Sequence, residues 1–283
     1  MIPMKKLFKP MAAAIVSATI GLATQSAIAG NIFTVQESAA TGAAPNLITA
    51  DQFSLDYQAR VTQDAFTGPP AAFQESGFFD VTSYLKNLVT QGTQLNLNEA
   101  LFSGAGYHLW AVFHFSGTAT INAANDIVAT FNPTSSLSLF LDPKQNDTLT
   151  LPALGSGSVS VTDPLSDDIQ IGTASIVTTG KANIRGGFNL GDYKVLFGDF
   201  ALTTLGKTYF TSPDPFFMSL QFSGNTNSVA PPLTSAGGTA LLEGAGKAEF
   251  FAPEPSEVAL MAIGLIVAGG LSRKKRPQLK QGV

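Results

Sequence analysis

The chain has 283 residues, of which 16 are Lys or Arg, 20 are Asp or Glu and none is Cys, for a formal charge of −4. The lack of Cys excludes disulfide scaffolds, Cys-ligated zinc or iron–sulfur sites, thiol nucleophiles and Cys-linked lipid anchors. Net acidity argues against a nucleic-acid partner, whose phosphates need clustered cations, and 45% apolar residues are enough to bury a core.

Lys5, Lys6 and Lys9 precede an apolar run from Met11 to Ala23, which ends in Ser26-Ala27-Ile28-Ala29-Gly30. A cationic start, an apolar stretch and small residues two apart predict a signal peptide over 1–29. Signal peptidase would cut after Ala29, with Ala27 and Ala29 in its shallow pockets.

The body, 30–252, is predicted to be all-β. Phe53, Leu55, Tyr57, Ala59 and Val61 alternate with polar partners, the period of a half-buried strand. Tyr107, Leu109, Ala111, Phe113 and Phe115 repeat the pattern, and 135–141, 158–162, 169–178, 193–203, 216–222 and 245–251 read likewise. Turn chemistry separates them at Phe131-Asn132-Pro133, Gly155-Ser156-Gly157, Arg185-Gly186-Gly187, Ser223-Gly224-Asn225 and Ala236-Gly237-Gly238. A short amphipathic helix is the alternative only around 83–88, and 224–238 reads as a long loop. Many short strands without intervening helices predict an antiparallel β-sandwich or curled sheet.

Beyond the body, Pro253-Glu254-Pro255-Ser256 is followed by 258–271, an uncharged stretch of 14 residues, and then by Arg273-Lys274-Lys275-Arg276. Fourteen is short of the roughly 20 residues a spanning helix wants. A basic cluster directly after it nevertheless suits the cytoplasmic end of a short membrane helix. The prolines hold extended backbone before it, a strand-like substrate for a protease. Domains are therefore expected at 1–29, 30–252 and 253–283.

The tail of Pro253-Glu254-Pro255, apolar helix and basic cluster resembles the PEP-CTERM sorting signal of Gram-negative bacteria. That resemblance implies an exosortase as partner, transient anchoring in the inner membrane, and processing near the motif. The body is similar to the flocculation-associated subfamily at 30–38, at Ala50-Asp51-Gln52-Phe53, at 110–115 and at 198–203. Membership implies export to the cell surface or extracellular matrix, promotion of cell aggregation with exopolysaccharide, and no catalytic residues. A secreted carbohydrate-active hydrolase, or a glycan- or Ca²⁺-binding module, is the competing expectation.

The candidate chemistry is sparse. His108 and His114 share one strand face but stand six residues apart, roughly 20 Å, so they cannot share a metal and are read as structural. Asp163, Asp167 and Asp168 cluster in one Pro-containing loop, and Asp142 and Asp147 flank another. Solvated turn acids are preferred there, no cofactor is expected, and Ca²⁺ is the one metal alternative. Trp110 is the candidate glycan contact, provided that its strand face is uncovered. Between Gly30 and Pro255 eight Lys or Arg stand against nineteen Asp or Glu, a body charge near −11. Such a body reaches glycan through neutral contacts, or through a divalent ion bridging its acids.

Overall fold

The computed structural model describes residues 31–41, 46–68, 70–92, 97, 106–185 and 190–251. The expected signal-peptide cleavage site at Ala27 and Ala29 and the expected sorting signal at 253–283 lie outside them. From Ile32 onward the described residues group as one compact unit.

The chain opens with β1 (Phe33–Gln36), one helical turn α1 (Ser38–Thr41) and β2 (Leu47–Ala50). Longer strands follow: β3 (Gln52–Gln63), β4 (Ala71–Lys86), the short β5 (Val89–Thr90), β6 (His108–Ile121), β7 (Ile127–Phe131) and β8 (Thr134–Asp142). A ribbon of β9 (Thr148–Thr150) and β10 (Ser160–Thr162) precedes β11 (Ile169–Ile184), β12 (Gly191–Phe197) and β13 (Ala201–Leu202). The turn α2 (Gly206–Tyr209), β14 (Phe210–Ser212), β15 (Ser219–Ala230) and β16 (Gly238–Phe251) complete the order.

The expected antiparallel β fold is present, but it is a closed barrel and not a sandwich. Strands run β4-β3-β16-β15-β12-β11, then β7 with β8, then β6, and β6 pairs with β4 to close the ring. β7 and β8 form one path: β6 and β11 pair with both, and Asn132-Pro133 kinks the strand between them. Pro133 has no N–H to give the ladder, so the expected turn there is a break within one barrel strand. Closure removes the exposed edges that a sandwich would leave.

Alternation decides which face is inside. Phe53, Leu55, Tyr57, Ala59 and Val61 of β3 are buried, while Ser54, Asp56, Gln58, Arg60 and Thr62 face outward. This is the reverse of a membrane barrel, which is apolar outside, and among the described residues no helix is long and apolar enough to cross a membrane. Aromatic rings fill the interior. Phe79 of β4 stacks on Phe222 of β15, centroids 4.6 Å apart and 7° from parallel.

One expected turn signal is an interior packing device. Ser223-Gly224-Asn225 lies within β15, which runs on to Ala230 and shortens the expected long loop. A Cβ on Gly224 would stand 2.8 Å from the Tyr193 hydroxyl, and one on Gly246 of β16 would stand 2.5 Å from it. Glycine is present because the tyrosine ring crosses there. The alternative helix at 83–88 is instead the end of β4 and a tight turn, with Asn87 and Leu88 at φ 52° and 65°, a hairpin geometry.

One end of the barrel is closed by the three-stranded sheet β14-β1-β2. Phe33 of β1 is fully buried, with its ring 5.0 Å from Phe53 and 5.3 Å from Phe250. Tyr84, Tyr107 and Tyr209 form a buried triangle of hydroxyls behind it, and the Tyr107 hydroxyl donates to buried Glu37 at 3.1 Å. Burial raises all three tyrosine pKa values, so the hydroxyls stay protonated and keep donating.

Outside the barrel, 143–168 forms an arm. It is pinned where Gly155 donates to Thr62 Oγ1 at 2.9 Å and where Ser76 Oγ donates to the Gly155 and Gly157 carbonyls. The arm therefore lies against the outer face of β3 and β4.

Candidate metal centre

The arm leaves the barrel and rejoins it through two loops with one pattern. Asp142-Pro143-Lys144-Gln145-Asn146-Asp147 links β8 to β9, and Asp163-Pro164-Leu165-Ser166-Asp167-Asp168 links β10 to β11. Both are Asp-Pro-x-x-x-Asp. Leu141 pairs with Ile169 across β8 and β11, and Thr148 pairs with Thr162 across β9 and β10. The loops are thereby clamped side by side, running in opposite directions.

Each first aspartate organises its own loop. Asp142 accepts the backbone N–H groups of Lys144 and Asn146, both at 2.7 Å, and Asp163 accepts those of Leu165 at 3.0 Å and Ser166 at 2.7 Å. Such bonds make aspartate a loop-former before proline. The fourth residue is left-handed in both loops, φ 54° at Gln145 and 55° at Ser166. That turn sends the sixth residue back toward the neighbouring loop.

The outcome is a convergence of acids. Oxygens of Asp147, Asp163 and Asp168 lie within 4.8 Å of one another, and Asp147 also lies within that distance of Asp142 and a His108 ring nitrogen. Both Asp147 oxygens and Oδ1 of Asp168 are shielded from solvent without a hydrogen-bond donor. The electrostatics register this strain. Burial, then the adjacent Asp147 carboxylate and its negative charge, raise Asp168 to about 8. Asp147 is raised by burial and by the charges of Asp142 and Asp163. The two titrate as a pair that gives up its last proton near neutral pH.

A donor set of carboxylate oxygens suits a hard cation such as Ca²⁺, which takes six to eight oxygens. Asp147 and Asp168 supply the free oxygens. Asp142 and Asp163 keep lone pairs beyond those used by the backbone. The side-chain oxygen of Asn146, buried without a donor, lies in the first loop. A groove of about 520 Å³ adjoins this cluster, lined in part by Gln58, Asp80, Thr82, His108, Gln145 and Asp147.

The remaining expected sites fall elsewhere. The sorting residues Pro253, Glu254, Pro255, Ser256, Arg273, Lys274, Lys275 and Arg276 lie outside the described residues. Trp110 faces outward from β6 but is only 1% exposed, stacked on Phe140 of β8 at 4.5 Å and 15°. A buried ring offers no face to a sugar, so the expected glycan platform at Trp110 is not formed. Both histidines have local partners: His108 Nε2 meets Asp80 Oδ1 at 3.0 Å, and His114 Nδ1 meets Ser76 Oγ at 2.7 Å. His108 also borders the acid cluster, a proximity that strand spacing alone does not reveal. Asp199, within the 198–203 motif, binds the backbone of Ser175 and Ile176 and is a corner brace.

Comparison with family models, curated proteins and solved structures finds no match for this chain.

Proposed function

We propose that the chain is an exported, non-enzymatic protein of the cell surface or extracellular matrix. It promotes cell aggregation with exopolysaccharide, and its paired Asp-Pro loops hold Ca²⁺ for that contact. The observation that carries the reading is the convergence of Asp142, Asp147, Asp163 and Asp168, with shielded oxygens that lack donors. Export and exosortase processing rest on the two terminal signals in the sequence.

Charge and geometry act together at the loop pair. A body near −11 repels an anionic polymer at short range, within a Debye length of about 8–10 Å. A divalent ion at the loop pair cancels the local charge and keeps coordination sites for polymer hydroxyls or carboxylates. The adjoining groove, with its amide, hydroxyl and carboxylate side chains, offers hydrogen bonds to a sugar chain beside the ion. The competing hydrolase would need two carboxylates straddling a bond, about 5 to 10 Å apart. Asp147, Asp163 and Asp168 instead bring one oxygen each within 4.8 Å of one another, the arrangement of a ligand set.

The test is complementation. In a deletion strain flocs should be lost while polymer is still made, and the wild-type gene should restore them. A D147N/D168N gene should be exported to the same level and fail to restore them, and EDTA should reproduce that failure in the wild type. Full flocculation by the exported variant overturns the reading.

A further inference from the structure

The end of the barrel opposite the tyrosine triangle has an apolar cavity of about 50 Å³, lined at the strand ends by Gln63, Ile127, Ile184 and Leu233. By the size a water needs, this is room for about three or four non-hydrogen atoms. Its wall is aromatic, and one residue breaks the pattern. Glu75 takes an inward position on β4, in line with Phe73 and Phe79, and is only 9% exposed. No described side chain or backbone group gives its carboxyl a hydrogen bond. Its oxygens keep slight solvent contact through the cavity, and buried polar groups are normally paired, so the site has room for a donor beside them.

The neighbours point to the nature of that partner. Tyr57 and Tyr193 meet at 4.9 Å and 73° in the cavity wall. Gly224, Gly244 and Gly246 make the room these rings need. The Tyr193 hydroxyl is also buried without a hydrogen-bond partner. The charged residues lining the cavity, Glu75 and Asp192, are both acidic. A negative, low-dielectric pocket walled by ring faces attracts cations, by focused field and by cation–π contact.

We propose that this mouth is a binding site for a small primary alkylammonium, with Glu75 as its counter-ion and the Tyr193 hydroxyl as a second acceptor. The alkyl body sits against the aromatic wall, and the ammonium donates to both oxygens. No bond is made or broken. The site is separate from the acid loops, so neither proposal depends on the other.

The titratable groups that line the cavity with Glu75 are Tyr57 on β3 and Asp192 and Tyr193 on β12; burial holds both tyrosines protonated. Burial raises Glu75 itself to about 7. Because an alkylammonium stays charged up to about pH 10, its binding should follow the ionisation of Glu75.

The experiment is calorimetric titration of the full-length protein with n-propylamine, n-propanol and propionate. Propylamine should bind about tenfold tighter at pH 8 than at pH 6. Propanol and propionate should bind at least tenfold more weakly than propylamine at pH 8. E75Q should lose the preference for the amine. The pH comparison uses wild-type protein alone, so it stands even if E75Q folds poorly. Equal binding of propanol and propylamine, a flat pH profile, or no propylamine binding overturns the proposal.

Discussion

Asp147 and Asp168 hold the same place, the sixth, in two Asp-Pro-x-x-x-Asp loops, and their carboxylates come within 4.8 Å of each other. Two like charges this close are unfavourable unless a proton or a cation lies between them. The folded pair keeps a proton that the unfolded chain would release at lower pH. This pair therefore lowers stability as pH rises toward 8, and a cation removes the penalty.

Neutralising one member should therefore stabilise the cation-free protein. D147N or D168N in EDTA at pH 8 should raise Tm by about 2–4 °C, since screening at the rim limits the gain to about 1 kcal/mol. At pH 5 the same substitutions should change Tm little. Thermal unfolding at the two pH values checks both.

Trp110 should behave as a packing residue. W110A should cost about 3–5 kcal/mol. W110F should cost clearly less than W110A, because it keeps a ring stacked on Phe140 and removes an indole N–H that has no partner. Denaturant unfolding measures both. Polymer binding by folded W110F should match wild type.

Glu75 should make stability fall with rising pH. Its carboxyl ionises at about 7 in the fold against an ordinary 4.5. The stability it contributes is full below pH 4.5 and is lost as pH rises toward 7, roughly 3 kcal/mol in all. E75Q should flatten the unfolding free energy between pH 5 and 7.5.

Much of the barrel wall was legible in the sequence. The alternation of Phe53, Leu55, Tyr57, Ala59 and Val61 assigned the inward face of β3 correctly, because side-chain period depends only on local backbone. Closure was not legible. It rests on β4 pairing with β6, and alternation looks the same in a sandwich sheet and a barrel. Which face of β6 carries Trp110 outward, and what covers it, was not legible: both faces of that strand are apolar, and the ring stack on Phe140 depends on the β6–β8 register. The acids of the candidate centre were visible as two loops. Their meeting was hidden, since it needs Leu141 opposite Ile169 and Thr148 opposite Thr162. The shared Asp-Pro-x-x-x-Asp spacing was the available clue. For the mouth site, the clue was a glutamate at the parity of Phe73 and Phe79.

Sorting is a separate prediction. Replacing Arg273, Lys274, Lys275 and Arg276 with neutral residues should leave the protein missorted and flocculation reduced. Fractionation of membrane, surface and medium measures it, and normal processing in that variant would refute the assignment of the tail.

A Ca²⁺ centre at the paired loops must show in the thermal midpoint of the full-length protein at pH 8. One millimolar Ca²⁺ against EDTA should raise Tm by about 5–10 °C if the ion binds near 10 µM, which contributes about 2.7 kcal/mol. The D147N/D168N variant should show no such rise. A wild-type midpoint that is the same in Ca²⁺ and in EDTA would contradict the account.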